Sequence, residues 1–529
     1  MKRLLIAISV ATALWSAACG SGGSSVQPPP PAGKYSLASL NGQYAFVTNG
    51  EVFTSGASFP TPLARVGTFI ADGKGNITGG MEDVNADGTP SNAIAITNGT
   101  YTVSADGRGA MTLNLGTSTL DFGITLTSNS DGLLIDETSN SNQASTGSGN
   151  LILQQSTPFA LSEIAGTYVF DFSGSDASQP NPNPESFIGQ FVVDSNTQTI
   201  PTGFFDDNVG GELNSGAMTP GTIAQDPLQT SSFSAFGRGI ATIAGQNFVF
   251  YIVNSGRVRF LSTNNGMLSG DAVSQAGIPG GLTGGFVFVV GGSSANGGLT
   301  RVGRFTVSNM TLSQMLMDVN DASNEAQFNN LSNSSITSYD STTGRAQVSF
   351  QDSGGQVYSF VFYLSSANSG VIQDISPSST VGFARVTADG SIELQSGSPF
   401  TNASVSGTYA MNWSGLVVAG GTFPIEDEED LVAQTNVSNL ALSGAADLFQ
   451  FTSTTLTPQL DLGVGGVIQI NGSDGTSSDG SRNGMTVDLT GAKPINFVIY
   501  FVNPQLAFFA NRDNSGTQRI VLGILKLQQ

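Results

Sequence analysis

An arginine recurs at one place in four stretches of this chain: Gly107–Leu126 (GRGAMTLNLGTSTLDFGITL), Gly237–Ile252, Gly344–Leu364 and Ser481–Phe501. With only 18 Lys and Arg in 529 residues, the repetition of Arg108, Arg238, Arg345 and Arg482 is not chance. A guanidinium can clamp a carboxylate or phosphate in two-pronged fashion, or it can close a structural ion pair. Four divergent copies rarely keep four equal ligand sites, so the structural role is the expectation. Each Arg then pairs with a recurrent acid (Asp83, Asp206, Asp318, Asp461) or caps an aromatic ring, and stabilises its own module.

Two other acidic patterns could do chemistry. Asp83-x-Asn85-x-Asp87-Gly88 matches the first half of a calcium loop, with oxygen ligands at alternate positions and a glycine for the turn. The twelfth position is Ile94, so the bidentate acid is missing, and Asx residues also favour turns for local reasons. A turn is the preferred reading; calcium at Asp83, Asn85 and Asp87 is the alternative. Glu426–Asp430 (EDEED) reads as a solvated acidic loop. It falls in an apparent insertion of about 17 residues, since Phe451 follows Gly407 by 44 positions where Phe69 follows Gly42 by 27.

Composition removes whole classes of function. The chain has no histidine, which excludes Ser-His-Asp and Cys-His sites and imidazole metal ligands. It has no Walker A loop, no Gly-x-Ser-x-Gly elbow and no Ser-x-x-Lys pair. A carboxylate-only glycosidase survives this test, but four divergent copies of one small module offer it no unique cleft. The expectation is a non-enzyme without a cofactor. A net charge of −21 argues against nucleic acid as a partner.

At the N-terminus, Met1-Lys2-Arg3 precedes an apolar run, Leu4–Trp15, too short to span a bilayer. Ser16-Ala17-Ala18-Cys19 follows, and Cys19 is the only cysteine in the chain. Residues 20–34 then form a Gly/Ser/Pro tether.

Four tandem modules are expected at residues 35–155, 156–275, 276–396 and 397–529. Each opens on Gly-x-aromatic, with the aromatic at Tyr44, Tyr168, Phe286 or Tyr409, and the opening glycines lie 118 to 124 residues apart. A second strand carries Phe69, Phe191, Phe305 or Phe451. The best-patterned strand holds Phe122/Ile124/Leu126 and its counterparts. Its other face bears Val249/Tyr251, Val361/Tyr363 and Val498/Tyr500 in three copies but Gly123/Thr125 in the first. An apolar outer face implies that neighbouring modules or loops cover it. Eight or nine short strands per copy, with no amphipathic helix, give an all-β chain. Each module is an antiparallel meander closed into a small barrel, with a β-sandwich as the alternative.

Three resemblances add to this reading. Ser16-Ala17-Ala18-Cys19 resembles the lipobox of bacterial lipoproteins, with Ser16 where Leu is usual. The resemblance implies a signal peptide over residues 1–19 and lipidation of Cys19 as a membrane anchor, and Gly20 after it implies the outer membrane. An ordinary signal peptide cut near Ala18 is the other reading. The Gly-x-Tyr opening with a later Arg loosely resembles lipocalin barrels, which have Trp in place of Tyr. Ala71–Asn76 and Thr100–Gly109 are similar to blocks of a family of repeat-bearing bacterial lipoproteins, a similarity that implies no activity. Together these lead to a cell-envelope lipoprotein with a non-catalytic binding, adhesion or structural role and an unknown surface or extracellular partner. The alternative is a carrier of small apolar ligands inside the barrels.

Overall fold

The computed structural model describes residues 34–54, 60–140, 143–155, 157–177, 182–294, 296–321, 324–329, 332–377, 386–418, 426–452, 455–470, 480–512 and 518–529. The expected signal peptide (residues 1–19), Cys19 and nearly all of the expected tether (residues 20–34) lie outside them.

The chain is all-β and folds into four eight-stranded antiparallel barrels. They run over Asn41–Leu153, Gly166–Ser274, Gly284–Leu394 and Gly407–Leu527. In each, the first strand pairs with both the second and the last, and the remaining strands follow as a meander. The first two barrels close through pairing of the second and third strands, with a short extra strand beside the third. The fourth is a plain closed barrel. One short helix, Thr230–Phe236, interrupts the β structure before the second Arg turn, a departure from the helix-free expectation.

Period-two alternation decides which side chains fill the barrels. Tyr44, Phe46, Phe69, Phe122, Ile124 and Leu126 form the first core. The second is packed with rings, Phe170 lying 4.8 Å from Phe172 and 4.9 Å from Phe187 between centroids. An eight-stranded barrel is just wide enough for side chains to fill it, and these aromatic rings take the room that a carried ligand would need. The glycine of the second strand makes space for one of them. Gly67, Gly189 and Gly303 sit opposite Phe46, Phe170 and Phe288, and a methyl group at any of these glycines would come within 2.8 Å of the ring. In the fourth barrel the pair is Ala433 opposite Met411.

That register corrects the reading of the fourth module. Its second strand is Glu426–Ser438, and Phe451 lies in the third strand, Ala441–Thr452. Thr435, not Phe451, pairs with Tyr409, so Gly407 to Thr435 matches Gly42 to Phe69 within one residue and no insertion precedes it. The acidic run therefore begins a strand, not a solvated loop. Glu428, Glu429 and Asp430 are buried. Glu429 points inward, accepting hydrogen bonds from Trp413 Nε1 (3.2 Å) and Arg519 Nε (3.1 Å). Asp430 points outward and accepts one from Thr146 of the first barrel (2.7 Å). Local charge density suggested solvent, but a barrel wall and a neighbouring barrel supply partners from distant parts of the chain.

The outward apolar face is covered by the neighbouring barrel. Ala64 and Val66 of barrel one pack on Val249, Tyr251 and Leu261 of barrel two. Val169 and Ile188 of barrel two meet Val361, Tyr363 and Val371 of barrel three. A larger cluster joins Val287 and Val302 of barrel three to Val498 and Tyr500 of barrel four, and continues to Leu133 and Ile135 of barrel one. The four barrels therefore form a closed head-to-tail ring.

Candidate functional site

The recurrent arginines sit at these junctions, and the structure shows why they recur. Each Arg turn is tied to the strand that follows: Leu126, Ile252, Leu364 and Phe501 donate backbone hydrogen bonds to the carbonyl of the residue before the Arg, at 2.9–3.0 Å. The side chain then leaves its own barrel. Arg238 Nε and Nη2 grip both oxygens of Asp83 in the preceding barrel at 2.8 Å. Arg345 does the same to Asp206 at 2.7 and 2.6 Å, and Arg482 to Asp318 at 2.7 and 2.6 Å. A tyrosine completes each group: Tyr251, Tyr363 and Tyr500 donate to the same carboxylates at 2.6 Å. Burial and the adjacent carboxylate push all three phenols well above their ordinary pKa, so the hydroxyl stays a donor. The acid two residues upstream of an asparagine belongs to the same device. Asn85 donates to Ser262 O and Gly266 O, Asn208 to Asp374 O and Val386 O, and Asn320 to Arg519 O, all in the next barrel at 2.7–3.0 Å.

A glutamine at the end of each barrel adds a further link. Gln154, Gln275 and Gln528 each bridge two carbonyls of the next barrel's Arg turn, and Gln395 reaches Phe501 O. Glycine before the Arg permits this approach: a methyl at Gly107 would lie 2.8 Å from Gln528 Nε2, and one at Gly344 would lie 3.0 Å from Gln275 Nε2. The sequence did carry this signal, as the repeated Leu-Gln at Leu153-Gln154, Leu394-Gln395 and Leu527-Gln528. The first-strand aromatics lie inside the barrels instead. Tyr44, Tyr168 and Tyr409 donate to turn carbonyls of Asn129, Ser255 and Pro504 at 2.6–2.8 Å, and Phe286 takes the equivalent core place without a hydroxyl.

The expectation of pairing within one module is thus corrected: the recurrent acid of each pair lies one barrel back, and Arg238 adds an acid of its own barrel, Asp226 at 2.6 Å. The fourth acid also changes. Asp447, opposite Val432, is the register equivalent of Asp83 opposite Val66, and Arg108 Nη2 binds both its oxygens at 2.7 and 2.8 Å. Asp461 is a second partner at 3.0 Å with an exposed side chain.

Asp83, Asn85 and Asp87 do not converge as calcium ligands would. Both oxygens of Asp83 are engaged by Arg238, Tyr251 and the Ala93 amide. The Asn85 amide faces carbonyls of barrel two, and Asp87 stands on the hairpin turn beyond. Among the described residues no group of three or more acids is placed to hold a metal ion.

The junction that closes the ring differs from the other three. Thr125 replaces the tyrosine opposite Arg108, and Phe449 replaces the asparagine two residues after Asp447. Arg108 uses one nitrogen on Asp447, where the other arginines use two. Its Nε, Thr125 Oγ1 and Glu137 Oε1 are buried without a hydrogen-bond partner. Beside them a cleft of about 360 Å³ opens between Thr102, Ser104, Arg108 and Glu137 of barrel one and Asp447, Leu460 and Asp461 of barrel four. Burial lowers the Arg108 pKa, but Asp447 and Asp461 outweigh it and the guanidinium is held more firmly charged. Burial, with Asp447 and Asp136 nearby, raises Glu137 to about 8, so its carboxyl is largely protonated at neutral pH.

No protein-family model matches this chain, and no curated protein matches it. Among solved structures, it is similar to a transferrin binding protein B mutant from Haemophilus parasuis Hp5 at 9% identity and a TM-score of 0.21, over 97% of this chain and 99% of that one. It is also similar to transferrin binding protein B of Neisseria meningitidis, at 9% identity and a TM-score of 0.18, over 76% of this chain and 85% of that one. A Nostoc punctiforme protein of the DUF3598 family matches at 8% identity and a TM-score of 0.14, over 56% of this chain and 96% of that one. At this distance the likenesses concern the fold only.

Proposed function

We propose that this chain is a lipid-anchored protein of the bacterial cell envelope whose four barrels form a rigid, non-catalytic platform for binding, adhesion or structural support. The observation that carries the reading is the use made of its recurrent polar residues. Arg238, Arg345 and Arg482 and their acids join one barrel to the next, as Arg108 and Asp447 close the ring. Arg238, Arg345 and Arg482 each have Nε and Nη2 taken up by a carboxylate of the neighbouring barrel. A heterologous contact repeated around a closed ring gives stiffness without exposed ends. The aromatic barrel cores favour this over the carrier reading. Cys19 after the apolar segment supports the anchor, and Gly20 the outer membrane.

Membrane fractionation with fatty-acid labelling tests the anchor. The full chain incorporates label and sediments with outer membranes; the C19S chain is unlabelled and leaves the membrane. A C19S chain that still partitions with membranes would overturn the anchoring.

A further inference from the structure

At the ring-closing junction the Arg-centred group is not completed from within. At the other three, Arg Nε and Nη2 and the tyrosine hydroxyl all donate to one carboxylate. Buried polar atoms are nearly always hydrogen-bonded, and an unpaired one costs roughly 1–3 kcal/mol. Here two such atoms, Arg108 Nε and Glu137 Oε1, belong to residues that line the same cleft, and Arg108 is only 8% exposed.

The donor set defines what could satisfy them. Arg108 Nε offers a hydrogen and needs a lone pair. Glu137, largely protonated, has one hydrogen to give and one oxygen to receive one, while the exposed Asp461 carboxylate needs a hydrogen. A carboxylate would accept from Arg108 and Glu137 but could give Asp461 nothing, and any anion, phosphate included, would meet the negative charge of Asp447 and Asp461. An ammonium could donate but offers Nε no lone pair. A hydroxyl does both, and two adjacent hydroxyls can span the pair. Val103, Ala110 and Leu460 add small apolar surface beside these groups, suited to the C–H face of a ring. The volume falls within the range of about 300–1,000 Å³ common for small-ligand sites.

We propose that this cleft binds a neutral saccharide unit, with Arg108 Nε donating to one ring hydroxyl while Glu137 and Asp461 take up hydroxyl hydrogens. This deepens the binding role proposed above and rests on it. The two are read by different assays, since anchoring through Cys19 can fail while the purified chain still binds, and the reverse.

The test is saturation-transfer NMR on the full mature chain in detergent, with glucose, galactose, mannose, N-acetylglucosamine, maltose and cellobiose as probes. At least one is expected to give transfer. Glu137→Ala should weaken it by about tenfold, the loss of one good hydrogen bond, or about 1.4 kcal/mol. Ala110→Trp fills the cleft without touching the Arg108–Asp447 pair and should abolish it, with the melting temperature unchanged as the check on folding. Absence of transfer from every saccharide would overturn the proposal. So would binding that survives Ala110→Trp, or occupancy of the cleft by N-acetylglycinamide, a peptide mimic, and by none of the sugars.

Discussion

Replacing Arg482 by methionine isolates what one junction contributes. Arg482 is fully buried and makes two charge-assisted hydrogen bonds to Asp318, whose side chain is 7% exposed. Methionine keeps most of the volume but removes both bonds and leaves the Asp318 carboxylate with the Tyr500 hydroxyl. Hydrogen bonds to charged groups contribute roughly 1.5–3 kcal/mol each, and breaking a buried pair from one side costs about 3–5 kcal/mol. The two figures agree on about 4 kcal/mol. The R482M/D318L/Y500F chain removes the charge and its phenol together, and buried pairs replaced by apolar groups are often neutral. It should therefore recover at least about 2 kcal/mol of the loss. Urea unfolding followed by Trp413 fluorescence reads this locally: Trp413 is buried in barrel four, and the only other tryptophan, Trp15, ends the N-terminal apolar run. Asp318→Asn, a change in barrel three, should shift the same barrel-four transition. A cost below about 1 kcal/mol for R482M, no shift for Asp318→Asn, or a triple variant no more stable than the single one would refute the cross-barrel account.

Two further outcomes follow from the same geometry. Burial raises Glu82 and Asp430 to about 7 and Glu137 and Glu185 to about 8. Folded-state values above the unfolded ones mean that the folded chain holds protons the unfolded chain has lost. Stability is then greatest near pH 4 to 5 and falls through pH 7 to 8, so calorimetry should give a lower melting temperature at pH 8.5 than at pH 5.5, and equal or rising values would contradict these shifts. Gln528→Ala removes the bridge to Asp106 O and Leu126 O at the ring-closing junction. It should cost about 1–3 kcal/mol and raise amide exchange at Gly107 and Leu126 while leaving Gly237 and Ile252 protected; equal exchange at both turns would refute a local role.

The acidic run and the fourth acid show where local reading reaches its limit. Glu428 and Asp430 look solvated in sequence because five acids in a row repel one another, and only the wall of barrel one makes them buried. Asp461 looks like the fourth acid if Phe451 is placed in the second strand, but Phe451 lies in the third. Strand register, which depends on cross-barrel pairing, assigns that place to Asp447. The Arg108–Asp447 pair joins residues 339 positions apart, a distance at which sequence periodicity holds no information.

By itself the sequence determined the four-fold repeat, the all-β meander with a barrel preferred to a sandwich, the core face of the best-patterned strands and the marked Arg turn. These are local: alternation of apolar side chains and the glycines that give room to a ring or a turn act within one module. It also showed the odd copy, since Gly123 and Thr125 break the Val-x-Tyr pattern. Tertiary structure alone decided what the arginines hold, that the barrels close into a ring, and that the one junction lacking a tyrosine keeps unpaired polar atoms beside a cleft. Hydrogen-bond satisfaction of a buried group is a property of everything packed around it, and at these junctions the partner carboxylate comes from another module.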